Sequence, residues 1–142
     1  MTLTIPEILE NIKKDASSPD DFIRGLRMNN TAGMRAVIIL AFDESPLYRN
    51  NLPPFTPDGS PEGLAPTSIY AEIRRFYIFK KDYNLNIKRK DEILTQILES
   101  VNSMEVTLIR SLFEGTFTET YGINKDVASK AFPDLFAKAV SR

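Results

Sequence analysis

The sequence contains no cysteine, no histidine and no tryptophan. Without cysteine or histidine there is no disulfide, no Cys/His zinc site and no catalysis by thiolate or imidazole, which excludes most familiar enzyme chemistries at once. The missing cysteine is compatible with any redox compartment. Long hydrophobic runs are also lacking: the longest, Ala36 to Phe42, falls far short of the roughly 20 residues that span a bilayer. The segment Met1-Thr2-Leu3-Thr4 has neither a cationic stretch nor a long apolar one, so no signal peptide is expected. The expectation is a soluble protein at work inside a cell.

An excess of charge is lacking too. The formal net charge is -1, unusual for a dedicated nucleic-acid binder, because phosphate binding is driven by Lys and Arg releasing counterions. The total conceals a pattern. Residues 1–66 carry six basic and nine acidic side chains, residues 67–90 seven and two, and residues 91–142 five and eight. A segment of +5 therefore lies between two segments of -3 each.

What is present is helical. Thr4-Ile5-Pro6-Glu7 has the form of a capping box and opens a helix to about Ala16, with Ile5, Ile8, Leu9 and Ile12 as its apolar stripe. Ser18-Pro19-Asp20-Asp21 starts a second helix, to about Arg27. After Asn29-Asn30-Thr31, a third carries Met34, Val37, Ile38, Leu40 and Ala41; being apolar nearly all round, it is expected at the centre of the core. Between Glu44 and Pro66 lie six of the nine prolines and two of the six glycines, which predicts an irregular excursion. Leu47, Tyr48, Leu52, Phe55 and Leu64 within it predict packing over the bundle. Thr67 is expected to cap a helix to about Lys81, followed by helices over about 88–101 and from about Ser103 to Gly115, a residue suited to a left-handed cap. After a polar loop, Asn124 caps a short helix to about Phe132, and Pro133 separates it from a last turn. The reading is an all-α single domain, 1–142, a bundle of about seven or eight helices with a Pro-rich irregular excursion at about 44–66.

The end of the chain carries the most specific pattern. Ile109-Arg110-Ser111-Leu112-Phe113-Glu114-Gly115 is followed by Lys130-Ala131-Phe132-Pro133-Asp134-Leu135-Phe136. An Arg-x-Leu-x-x-Gly helix end, then a short helix closing on Lys-x-aromatic-Pro-x-Leu, resembles the N-terminal helical DNA-binding domain of ATP-dependent DNA ligases, most closely those of T-even-type bacteriophages. Glu7 to Ile12, Asp21 to Arg24 and the helix ending Ala41-Phe42-Asp43 have the order and spacing of that domain's first helices. The chain also resembles a group of small proteins of T-even-like myophages, cyanophages included. The ligase nucleophile motif Lys-x-Asp-Gly is absent, since Lys81-Asp82 and Lys125-Asp126 have the wrong spacing and no glycine, so adenylyl transfer is excluded.

The resemblance implies a grip on duplex DNA through sugar-phosphate contacts at helix termini, where exposed amides and the dipole favour phosphate. Carried over by position, it marks Arg110, Gly115, Thr116, Asn124, Lys125, Ser129 and Lys130 as nucleic-acid-binding residues. The chain departs from the family pattern between them: about five extra residues within Phe117 to Gly122 enlarge the phosphate-facing loop and add Glu119. Independently of the resemblance, Lys80, Lys81, Lys88, Arg89 and Lys90, near Arg74, Arg75, Phe76, Tyr77 and Tyr83, form an electrostatic footprint for an anion. Each reading has a structural alternative. The basic run fits a solvated helix face, Arg110 an ion pair with Glu114, Asn124 a helix cap, and Phe76, Tyr77, Phe79, Phe113 and Phe132 the core. Carboxylate pairs such as Asp20-Asp21 and Asp91-Glu92 lack the partner ligands of a metal site.

The function expected is that of a non-enzymatic phage accessory protein, in the host cytoplasm during infection or in the virion, binding duplex DNA weakly and without sequence preference. No catalytic residue, metal, membrane or small-molecule cofactor is expected. The alternative is a protein-interaction module, a virion component or host-takeover factor with a phage or host protein as its partner.

Overall fold

A computed structural model describes residues 3–57, 65 and 67–140, with side chains up to Phe136. Among these residues the chain is all-α, with nine α-helices, one 3-10 segment and no strand. The helices are α1 (Ile5–Asp15), α2 (Pro19–Met28), α3 (Ala32–Phe42), α4 (Ile69–Glu72), α5 (Ile87–Leu98), α6 (Ser103–Glu114), α7 (Phe117–Tyr121), α8 (Lys125–Ala131) and α9 (Pro133–Val140). The 3-10 segment, Ile73–Phe79, follows α4 directly.

The helix starts follow from their caps. Thr4 Oγ1 accepts from the Glu7 amide while Glu7 Oε1 accepts from the Thr4 amide, at 3.4 and 2.8 Å, so two donors that no helix carbonyl can reach are satisfied reciprocally. Ser18, Thr31, Asn86, Asn102 and Asn124 each accept an amide from the first turn that follows them. Gly115 ends α6 at φ 74° and Gly122 ends α7 at φ 75°, a region in which a Cβ is strained.

Three expectations are corrected. First, α3 is not the centre of the core: Gly33, Met34, Val37 and Ile38 are buried, but Leu40 and Ala41 are only half-buried and Ile39 is exposed. The centre is α6, which buries Glu105, Val106, Leu108, Ile109, Ser111, Leu112 and Phe113 and packs on α1 and α7. Second, the helix expected over 67–81 is one α-turn followed by two turns of 3-10 helix. β-Branched and aromatic side chains lose rotamer freedom in an α-helix, and a three-residue repeat sets Ile73, Phe76 and Phe79 in line. All three are buried, with the Phe76 and Phe79 rings 5.2 Å apart, edge to face. Third, the polar loop after Gly115 contains α7, whose Phe117 and Tyr121, four residues apart, are both buried.

The excursion packs over the bundle as its apolar content implies. Tyr48 and Lys81 amides donate to the Phe79 and Pro46 carbonyls, and Leu47 bridges Lys80. Asp91 Oδ1 accepts from the Tyr48 hydroxyl at 2.6 Å and from Arg49 at 2.9 Å, while Glu99 takes the Thr56 amide. Leu47, Tyr48, Leu52 and Phe55 lie against the core; Leu64 falls outside the described residues. No helix among the described residues is long and apolar enough to cross a membrane.

Candidate nucleic-acid interface

The +5 segment folds into the 3-10 segment, a turn over 80–86 and the first turn of α5, and its cations separate by fate. Lys90 is buried at 2% exposure. Its ammonium donates to the Lys80 carbonyl at 2.7 Å and lies 5.5 Å from the centre of the Tyr48 ring, a carbonyl and a π-face that replace water around the charge. Lys90 is thus unavailable to phosphate: it pins the turn from inside. Lys80 is also occupied, with Nζ 2.6 Å from Asp43 and 3.4 Å from the Ser45 carbonyl. Burial pushes the Asp43 carboxyl up, but Lys80 and the Ser45 amide outweigh it, so its pKa is lowered overall. Arg89 pairs with Glu92 and Arg75 with Glu72, both one helical turn away.

Three cations of this segment remain. Arg74, Lys81 and Lys88 are exposed, and their side chains have no hydrogen-bond or ion-pair partner among the described residues. Tyr77, Tyr83 and Ile87 in the same stretch of chain are exposed by 57, 39 and 64%. The core reading of Tyr77 is corrected: the three-residue repeat that buries Phe76 and Phe79 turns it outward, where its ring meets Tyr83 at 5.3 Å and 78°. Burial removes Phe76 from the anion footprint. The first turn of α5 holds Lys88 and Arg89 and no acid, the reverse of the charge that a helix N-terminus favours.

The second candidate region, Arg110 to Lys130, is charge-matched throughout. Arg110 lies 3.9 Å from Glu114, Lys125 3.7 Å from Glu44 and Lys130 3.3 Å from Asp126. Asn124 Oδ1 accepts the Val127 amide, and the Ser129 hydroxyl donates to the Lys125 carbonyl. Thr116 is half-buried and its amide donates to the Ser111 carbonyl. A Cβ on Gly115 would meet nothing within 4 Å, so its role is the left-handed cap, with no close neighbour. Asp43 and Glu44, which follow α3, take Lys80 from one region and Lys125 from the other, so the two cationic groups are brought near one another across an acidic pair. Sequence spacing gives no sign of either long-range pair.

Two further features escaped sequence reasoning. Glu105 is buried in α6 at 1% exposure, with Oε2 accepting the Ile69 amide at 2.8 Å and Oε1 without a partner among the described residues. It caps α4 in place of Thr67, whose hydroxyl donates to Glu72 instead. Burial raises the Glu105 pKa, the Ile69 and Asn102 backbone bonds oppose that, and Glu7 adds to it. Between α1 and α2 runs a groove of about 360 Å³ floored by Ile8, Ile12 and Gly25 and edged by Leu3, Met28, Asp15 and the Asp21–Arg24 pair. Among the described residues no group of three or more acidic side chains is placed to hold a metal ion.

Compared with known proteins, residues 8–119 match the model of a family of unknown function, DUF6433. No curated protein and no solved structure matches the chain.

Proposed function

The chain belongs to the DUF6433 family, whose function is unknown, and from its own residues we propose that it is a non-enzymatic DNA-binding accessory protein. It holds the sugar-phosphate backbone weakly and without sequence preference, with Arg74, Lys81 and Lys88 as the contacting cations. One observation carries this reading: these three side chains are exposed without a partner among the described residues, whereas the cations of the Arg110 to Lys130 region each have a carboxylate nearby. A cation already paired with a carboxylate releases few counterions on meeting phosphate, while a free one supplies the driving force in full. The acid-free first turn of α5 favours an anion there as well. The resemblance to phage ligase DNA-binding domains supports the same reading, with duplex DNA as the ligand and an infected cell or a virion as the setting. The contact surface moves, relative to that resemblance, from the Gly115 to Lys130 loop to the 74–88 surface.

The test is a duplex titration at low salt with wild type and with Arg74→Ala/Lys81→Ala/Lys88→Ala. Measurable binding that the triple variant loses supports the proposal; no binding by wild type, or equal binding by the variant, ends it.

A second reading is a protein-interaction module. Met28 at 77% exposure and Leu3 at 46%, beside the groove between α1 and α2, favour it. A stoichiometric protein partner that survives nuclease treatment and is lost on Met28→Asp would support this reading.

A further inference from the structure

The exposed tyrosines point to a more specific ligand than the phosphate backbone. An exposed aromatic ring adds little to folding, yet the 3-10 winding that buries Phe76 and Phe79 presents Tyr77 to solvent and sets it edge-on against Tyr83. The pair is held in place. The Lys80 amide donates to the Tyr77 carbonyl, the Tyr83 amide donates to the Lys80 carbonyl, and that same carbonyl takes the buried Lys90 ammonium. The turn that carries Tyr83 is thereby fixed from within before any ligand arrives.

Arg74 lies three residues before Tyr77, on the same face of a helix with three residues per turn. Lys81 and Lys88 lie on either side of Tyr83 in the chain. Cations and rings therefore alternate along one exposed stretch of chain. In a duplex the bases are stacked inside, so an exposed ring finds sugar, phosphate and base edges but no open base face. An unpaired strand presents base faces, and stacking on an aromatic side chain is available to every base. Cations alone would suit either form; cations interleaved with exposed rings suit the unpaired one.

We propose that the surface formed by Arg74, Tyr77, Lys81, Tyr83 and Lys88 binds single-stranded nucleic acid, the tyrosine rings stacking on unpaired bases while the cations follow the phosphates. This rests on the DNA-binding reading above and narrows its ligand to unpaired strand or frayed ends. DNA and RNA present the same base faces, so both are probed.

The experiment is fluorescence anisotropy on the full chain at low salt, with labelled oligothymidylate and oligouridylate of about 12 nucleotides, a length within one small binding site, and a blunt duplex. The expected result is tighter binding of an oligonucleotide than of the duplex. Tyr77→Ala/Tyr83→Ala should weaken oligonucleotide binding by about tenfold or more, leave duplex binding within about twofold, and be reversed by Tyr77→Phe/Tyr83→Phe, which keeps the rings. Quenching of tyrosine emission by the unlabelled oligonucleotide, read on wild type, gives the same answer should the alanine variant fail to fold. Whichever of the DNA and RNA probes binds more tightly identifies the natural strand. Duplex binding equal to or tighter than oligonucleotide binding, or an alanine variant that binds oligonucleotide like wild type, overturns this inference and leaves the DNA-binding proposal standing. Absence of binding to every probe overturns both.

Discussion

Glu105→Gln should make the protein more stable at neutral pH, although it removes a charge that accepts a hydrogen bond. In the native state Glu105 Oε2 takes the Ile69 amide at 2.8 Å, and Oε1 is buried with no partner among the described residues. Keeping an unpartnered ionised oxygen out of water costs about 4 kcal/mol, more than a neutral polar group in the same place. Glutamine puts a neutral NH2 there, at about 2 kcal/mol, and its acceptor for the Ile69 amide is weaker by about 1 kcal/mol because that bond is neutral. The expected net gain is therefore about 1 kcal/mol, or a rise in Tm of roughly 3 °C for a domain of this size. Glu105→Ala instead leaves the Ile69 amide without an acceptor and opens a void, for a loss of about 3 kcal/mol. The pH dependence has a definite sign. The folded-state pKa of Glu105 is raised above its ordinary value of 4.5, so the folded state binds the proton more readily than the unfolded chain. Its contribution to wild-type stability is most favourable below the ordinary value, falls as pH rises towards the raised value, and is constant above it. Glutamine has no such dependence, so the gap between variant and wild type should open as pH rises through that window. Urea unfolding of the three proteins from about pH 4 to about pH 8 reads this directly. A Glu105→Gln protein less stable than wild type at neutral pH, or a gap that does not change with pH, would refute the reasoning.

Other outcomes follow from the same geometry. Lys90→Ala leaves the Lys80 carbonyl without its 2.7 Å donor and should destabilise the fold by about 2 kcal/mol in denaturant unfolding; a surface lysine would cost almost nothing. Tyr121→Phe removes a buried hydroxyl with no partner among the described residues and should be neutral or stabilising by up to about 1 kcal/mol in denaturant unfolding, whereas a clear loss would refute this. Gly115→Ala forces a Cβ onto φ 74° with no neighbour to clash and should lower stability by about 1 kcal/mol, measured by thermal unfolding, with no effect on DNA binding.

Local rules made much of the fold legible. The caps at Thr4, Ser18, Thr31 and Asn124, the stripe of Ile5, Leu9 and Ile12, and the end at Gly115 all follow from chemistry acting over four residues or fewer. The 3-10 segment was not legible, because Ile69, Ile73, Phe76 and Phe79 fit a repeat of 3.6 nearly as well as one of 3. The rotamer cost of its β-branched and aromatic side chains and the Tyr48 amide bond to the Phe79 carbonyl both belong to the 3-10 form, and neither is part of the hydrophobic repeat. α7 was hidden for another reason: five residues are too short a window for periodicity, and its threonines look like loop.

The candidate site was less legible than the fold. A run such as Lys88-Arg89-Lys90 shows charge but not direction, and here one cation points inward, one pairs along the helix and one is free. Long-range pairs such as Lys80 with Asp43 and Lys125 with Glu44 depend on how α3 ends against the rest of the bundle, which no local pattern encodes. The exposed position of Tyr77 follows only once the winding of its segment is known.

The central claim is that the free cations of residues 74–88, and not the paired ones of residues 110–130, meet the phosphates. Its most direct measurement is the salt dependence of duplex binding for wild type, Arg74→Ala/Lys81→Ala/Lys88→Ala and Arg110→Ala/Lys125→Ala/Lys130→Ala. Each phosphate contact contributes about -0.9 to the slope of log K against log salt. The expected slope is shallower by about 2 to 3 in the first variant and unchanged in the second. An unchanged slope in the first, with a shallower one in the second, would contradict it.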